Sequence, residues 1–147
     1  MKPDYIIEKL VEIDWPKLAQ LYLDLSVIYK AFFNWTFKSA MDEFEKSESF
    51  IIKNNSEIQS FITFRSYPDR LEIMAIGTRP CSSRYGHATQ LLAEVMVIAA
   101  ERSVPVWLEV HENNLKAVHF YLKNHFSITN RRKSYYGDGG SALIMSS

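Results

Sequence analysis

Apolar residues recur along this chain in two rhythms, every second position in some stretches and every third or fourth in others. Ile6, Ile7, Leu10, Val11 and Ile13 predict an edge strand over Tyr5 to Glu12. Asp14 follows as a helix cap with Pro16 in the first turn, and Leu18, Leu21, Tyr22, Leu25 and Ile28 then keep helical spacing. Thr36 caps a second expected helix to Glu45, with Phe37, Met41 and Phe44 on one face. Phe50 to Lys53, Ile58 to Arg65 and Arg70 to Thr78 read as strands joined by polar turns, an antiparallel meander.

A helix from Ala88 to Arg102 comes next, carried by Leu91, Leu92, Val95 and Ala99. Val104 to Val110 is a β-branched run that sets Val106, Leu108 and Val110 on one side and Trp107, Glu109 and His111 on the other. Asn113 or Asn114 caps a helix to Asn124 whose apolar face is Ala117, Val118, Tyr121 and Leu122. Phe126 to Tyr136 and Ser141 to Met145 read as two strands around the hairpin signal Gly137-Asp138-Gly139-Gly140. This order predicts an α/β (α+β) fold, a mixed and mostly antiparallel central sheet of about seven strands with helices on both faces. No repeat or linker interrupts it, so residues 1–147 are expected to form a single domain.

Composition narrows the possible partners. The 147 residues are 47% hydrophobic and 14% aromatic, enough for a packed core. Seventeen Lys plus Arg balance seventeen Asp plus Glu, so no global field draws in nucleic acid or an anionic membrane. No apolar run has the length of a spanning helix, and the one cysteine, Cys81, leaves no internal disulfide; a soluble cytoplasmic protein is expected. The sequence fits a monomer and a homodimer equally. His87, His111, His119 and His125 lack a metal-ligand spacing, so no metal is expected, and no neighbouring base pairs with Cys81 to make it a nucleophile.

Chemistry concentrates between Leu71 and Leu92, where an apolar strand ends at Pro80, a loop with Ser, Arg and Gly follows, and a helix begins. The first amides of a helix lack internal partners and carry partial positive charge, which suits an anion, and Gly86 lets a ligand come close to the backbone. The loop has neither the Lys-Ser/Thr pair of a Walker loop nor the three glycines of a dinucleotide fingerprint.

Ser83-Arg84-Tyr85-Gly86-His87-Ala88 resembles the pyrophosphate loop of the GNAT N-acetyltransferases, with Ser83 departing at its first position. Leu108 to Tyr121, which contains Leu-Glu-Val, Asn114, Ala117 and Tyr121, is similar to a second block found in the ribosomal-protein alanine acetyltransferases of that family. The element order agrees along the whole chain. The resemblance implies acetyl-CoA as acetyl donor, with its pyrophosphate held by Arg84, Tyr85, Gly86, His87, Ala88 and Thr89 and its pantetheine arm paired to Ile76, Gly77 and Thr78. It implies a cofactor contact at Asn114, a general base at Glu109 and a general acid at Tyr121. His125 stands where the family usually has glycine, a departure that concerns helix termination.

The residue types suit that chemistry. An attacking amine must lose a proton, which a carboxylate takes directly or through water, and the departing thiol needs one, which a phenol supplies. Burial of Glu109 in its strand is expected to raise its proton affinity. The assignment requires Glu109 and Tyr121 to reach one cleft. Each residue also has a plainer role: Glu109 as a solvated strand residue with Glu72 as rival carboxylate, Tyr121 as packing, Asn114 as a helix cap.

Phe33-Asn34-Trp35-Thr36 is similar to a Phe-Pro-Trp-Ser segment of the same relatives, so Phe33 and Trp35 are either an acceptor wall or a core plug with Phe32. Arg131 to Met145 resembles the hairpin that lines their acceptor groove, which makes Tyr135 and Tyr136 candidate substrate contacts beside a packing role. A protein N-terminal α-amine is the expected acceptor, because it is partly neutral near pH 7.7 to 8.0 whereas lysine needs about 10.4. A small-molecule amine, or a non-catalytic acyl-CoA-binding module of the same fold, stands as the alternative.

Overall fold

A computed structural model describes residues 5–147. The elements follow the expected order: β1 (Ile6–Lys9), α1 (Trp15–Ile28), α2 (Phe37–Phe44), β2 (Glu48–Asn54), β3 (Glu57–Tyr67), β4 (Arg70–Thr78), α3 (His87–Arg102), β5 (Val106–His111), α4 (Leu115–Lys123), β6 (Ser127–Arg132) and β7 (Ala142–Ser146). The strands form one seven-stranded sheet in the order β1-β2-β3-β4-β5-β7-β6. All neighbours are antiparallel except β4 and β5. The expected mixed sheet with helices on both faces is thus present.

Local chemistry explains the boundaries. Thr36 and Ser39 form a reciprocal capping box, Ser39 N–H to Thr36 Oγ1 at 3.0 Å and Thr36 N–H to Ser39 Oγ at 2.9 Å, which starts α2 sharply. Asn55 and Ser56 take positive φ, 52° and 68°, as a two-residue turn between twisted strands demands. Asp14 occupies the cap position of α1 without bonding an amide; its carboxylate accepts from Lys53 Nζ at 2.8 Å and so ties the helix start to β2.

Two hydrophobic layers sandwich the sheet. On one face α3 and α4 press Leu91, Leu92, Val95, Val118 and Tyr121 onto Ile62, Phe64, Leu71, Ile73, Leu108 and Val110. On the other, α1 and α2 bury Leu18, Leu21, Tyr22, Leu25, Ala40 and Phe44 against Ile51, Ile58, Phe61 and Ala75. Each such side chain contributes about 1.5 to 3 kcal/mol on burial. The second layer carries polar groups that are paired: Tyr22 hydroxyl with Thr63, Thr63 with Ser49, and Glu43 with Arg65 at 2.6 and 2.8 Å.

The strand expected over Phe126 to Tyr136 is shorter. It ends at Arg132 because β6 is an edge strand with all six side chains exposed, and the segment from Lys133 to Ser141 loops away instead of pairing. The first strand also contracts, from Tyr5–Glu12 to Ile6–Lys9, since Glu12 to Asp14 already turn into α1.

α4 closes with Phe126 N–H on Tyr121 C=O at 3.0 Å and His125 at φ 69°, the left-handed residue of a Schellman ending. A side chain with a Cβ is strained there. His125→Gly should raise stability by about 0.5 to 1 kcal/mol, read as a Tm increase of roughly 2 to 4 °C; an unchanged or lower Tm would show that the histidine ring makes a compensating contact.

Candidate active site

Strand β4 is where the sheet stops being continuous. Its pairing with β3 shifts register, Phe64 opposing Ile73 but Thr63 opposing Ala75, so Met74 is an extra residue bulged into β4. Pairing with β5 is confined to Leu71↔Val106, Glu72↔Trp107 and Ile73↔Leu108. Beyond Leu108 the two parallel strands diverge, and the β5-facing edge of Met74 to Thr78 is left without a strand partner. The bulge bends β4 just where the divergence begins.

A cleft of about 300 Å³ occupies the divergence. It is lined from one side of the sheet by Leu25, Tyr29, Phe32 and Phe33, from the other by Ala88, Ala117, Phe120 and Tyr121, and along its floor by Ile76, Gly77 and Thr78. Because its walls belong to helices on opposite faces, the cleft passes through the sheet. Ser83, Asn114 and Lys116 complete the rim.

The loop before α3 leaves the helix's first amides unpaired. Gly86, at φ 72°, caps α3 with no side-chain bond, whereas Thr36 and Asn114 cap α2 and α4 with theirs. The first amides of α3 are therefore available to a ligand. Nothing lies within 4 Å of where a Cβ on Gly86 would sit, so the positive φ, not crowding, is what calls for glycine. The loop is anchored below by Arg79 N–H on Gln59 C=O at 2.8 Å and by Ser82 Oγ on Gln59 Oε1 at 2.8 Å.

The sequence-predicted residues separate into groups. Ile76, Gly77, Thr78, Ala88, Asn114, Phe33 and Tyr121 line the cleft. Arg84, Tyr85 and Thr89 are exposed beside it, and Tyr85 leans on Tyr5, ring centroids 5.4 Å apart. His87 turns inward. Its ring is 2% exposed, packed edge-on to Tyr5 at 4.4 Å, with neither nitrogen hydrogen-bonded in the described residues. The ring also stacks against Tyr85 of the loop, centroids 5.8 Å apart.

Trp35 lies in the core layer, edge-on to Tyr22 at 5.1 Å, while its backbone N–H donates to Ser26 Oγ. Tyr135 is exposed beneath the Arg132 guanidinium at 5.5 Å, and Tyr136 stacks on His111 at 4.7 Å. Asn114 is both rim and cap, since its Oδ1 accepts from Ala117 N–H at 3.4 Å.

Tyr121 is 4% exposed, and burial, with no hydrogen bond to offset it among the described residues, pushes its pKa upward. Glu109 is the first β5 residue past the last β4–β5 pair, at the fork of the divergence. It stands on the α1 side of the sheet, opposite Leu108 and Val110, and is not part of the cleft lining, so it does not share with Tyr121 the one cleft that the assignment requires. The expected burial is absent: Glu109 is solvent-accessible and ion-paired to Arg132 at 3.3 Å. Glu72 sits where β4 and β5 are still paired, held by Arg70 at 3.6 Å.

Sequence reading missed Tyr29 and Lys116 as cleft residues, and it missed the burial of His111. The helical pattern of α1 running out at Ile28 into Tyr29, Phe32 and Phe33 was the available signal for the first. No helix in the described residues is long and apolar enough to cross a membrane.

The model of the acetyltransferase (GNAT) family matches residues 7–126. Among solved structures, the ribosomal-protein-S18-alanine N-acetyltransferase from Escherichia coli is similar at 24% identity and TM-score 0.81, over 97% of this chain and 92% of that one. Ard1 from Thermoplasma volcanium is similar at 20% identity and TM-score 0.83, over 97% and 96%. Arabidopsis thaliana NAA60 in complex with acetyl-CoA is similar at 17% identity and TM-score 0.81, over 98% of both chains. No curated protein sequence matches the chain.

The buried, unpartnered His87 sets a pH dependence. Desolvation lowers its pKa in the folded chain below the unfolded value, so folding is opposed wherever the unfolded chain takes up that proton first. The stability it permits is fully present above about pH 6.5 and declines as pH falls from there toward the lowered folded value. His87→Leu should show a smaller fall in Tm between about pH 7.5 and 5.5 than the parent chain; equal slopes would mean that the ring is already hydrated.

Proposed function

We propose, from the premise that the chain belongs to the GNAT acetyltransferase family, that it transfers the acetyl group of acetyl-CoA to a protein N-terminal α-amine. The single observation that carries this reading is the cleft through the sheet, with the free edge of Met74 to Thr78 as its floor, the uncapped start of α3 at one end and Tyr121 in its wall. The residues present fit the donor. Ile76, Gly77 and Thr78 offer main-chain groups to an extended amide-bearing arm, and the first amides of α3 with Arg84 offer donors to a pyrophosphate.

When bound, acetyl-CoA supplies an activated acetyl thioester. Main-chain N–H groups at the free edge of β4 stabilise negative charge on its carbonyl oxygen. Glu109, at the fork on the acceptor side and ion-paired to Arg132 at 3.3 Å, takes the amine's proton through water. Tyr121 keeps its own proton because burial holds it there, and donates it to the departing sulfur. Tyr121 lines the cleft while Glu109 stands on the opposite side of the sheet, outside its lining, so the reading requires the acceptor amine to reach the thioester through the opening where β4 parts from β5.

An α-amine suits a base of this kind. Glu109 is accessible and paired, so it lacks the apolar setting that strips a proton from a lysine amine, whereas an N-terminal amine is already partly neutral near pH 7.7 to 8.0. The names of the similar structures, N-acetyltransferases among them, agree with this direction.

The test is thiol release from acetyl-CoA with two peptides, one offering a free Ala or Met N-terminus and the other a blocked N-terminus with an internal lysine. Turnover of the first alone is expected, with Glu109→Gln lowering kcat by roughly 10²-fold or more and Tyr121→Phe lowering it by at least about tenfold. Turnover of small amines but of neither peptide would overturn the N-terminal reading. Unaltered kcat in Glu109→Gln would remove Glu109 as base.

A further inference from the structure

His111 ends β5 on the face that strand alternation sends outward, yet it is 6% exposed. Two chain segments cover it. The β6–β7 loop lays the ring of Tyr136 on it at 4.7 Å and 23°, and Phe32, from the turn between α1 and α2, meets it at 5.1 Å and 58°. Both ring nitrogens are used. Nδ1 accepts from Asn113 N–H at 3.0 Å, so the proton sits on Nε2, which donates to Asp138 Oδ2 at 2.9 Å.

The loop is shaped to make that contact. Asp138 Oδ1 accepts from Gly140 N–H at 2.7 Å, and the Gly140 backbone runs so close to the His111 ring that any Cβ there would overlap it. A second tether holds the same loop at its root, Ser141 N–H on Glu112 Oε1 at 3.0 Å. A buried polar group satisfied at both atoms contributes geometry more than stability, since an apolar side chain fills such a space at lower desolvation cost. What this geometry fixes is the spacing of two walls: Phe32 lines the cleft, and the loop carrying Tyr136 stands beside Glu109.

We propose that His111 is a positioning residue that locks the α1–α2 turn and the β6–β7 loop together across the end of β5, and so sets the width of the mouth through which the acceptor enters. The inference rests on the acetyl-transfer reading of the cleft. In that reading the donor would be held by Ile76 to Thr78 and the start of α3, which neither His111 nor Asp138 touches, so loosening the lock is expected to act on the acceptor more than on the donor.

Asp138→Ala is the variant of choice, because the Asp138 side chain is 58% exposed and its loss does not threaten the core; His111→Ala is its partner. In the two-peptide assay both variants should raise the acceptor KM by roughly tenfold while the acetyl-CoA KM stays within about twofold, a split that mere loss of folded protein does not give. Amide hydrogen exchange on Asp138→Ala should quicken at Gly139 and Gly140 and also at Phe32 and Phe33, whose N–H groups bond Tyr29 C=O in the other wall. Faster exchange in the β6–β7 loop alone, or an acceptor KM within twofold of the parent in both variants, would overturn the proposal. If the parent chain acetylates neither peptide, the transfer reading fails by itself, and the exchange at Phe32 and Phe33 still decides whether His111 couples the walls.

Discussion

The structure depends on one interrupted interaction, the parallel pairing of β4 with β5. Three residue pairs hold the strands together at Leu71 to Ile73, and the Met74 bulge then turns β4 away. A continuous seven-stranded sheet would bury every main-chain group of its inner strands and leave no passage between its faces. Parting the strands costs those hydrogen bonds, and the cost is offset only by something that brings donors and acceptors of its own. An extended amide-bearing ligand is of that kind, and in the proposed reading the interruption that weakens the sheet would serve as the binding floor.

The helices answer to this opening. α3 starts where β4 ends and points its uncapped amides along the cleft, while α4 starts where β5 ends and places Asn114 at the rim and Tyr121 in the wall. Both pack through Leu91, Leu92, Val95, Val118 and Tyr121 onto one face, so their positions are set by core burial on the order of tens of kcal/mol in gross terms. A site assembled on such elements is held by the core and not by its own contacts. The opposite face supplies the other wall of the cleft, with Tyr29, Phe32 and Phe33 following the end of α1.

Charge is distributed to match. The chain is neutral overall, so any positive field is local, at the uncapped start of α3 and at the Lys116 side of the cleft rim. Around the end of β5 the carboxylates are already engaged, Glu109 with Arg132, Glu112 with Arg131 and Asp138 with His111. Hydrogen bonds to Arg131 and Ser141 hold Glu112 below its ordinary pKa, and those to Gly140 and His111 do the same for Asp138. The loop that these pairs organise is therefore built by electrostatics where β6, an exposed edge strand, offers no core to organise it.

The sequence by itself determined the order of elements, the two buried faces and the glycine-led start of α3, because each rests on local periodicity or turn chemistry within a few residues of itself. Leu91, Leu92 and Val95 announce a helix wherever they stand, and Gly86 before them announces its beginning. Only the tertiary structure decided that Trp35 joins the Tyr22 layer while Phe33 reaches the cleft, that Glu109 is paired and accessible where burial was expected, and that His111 is covered though its strand face points outward. These outcomes depend on which distant segments arrive at a given point. The Met74 bulge, the parting of β4 from β5 and the loop from Lys133 to Ser141 are long-range registers, and no alternation of apolar and polar residues along one strand encodes the path of another.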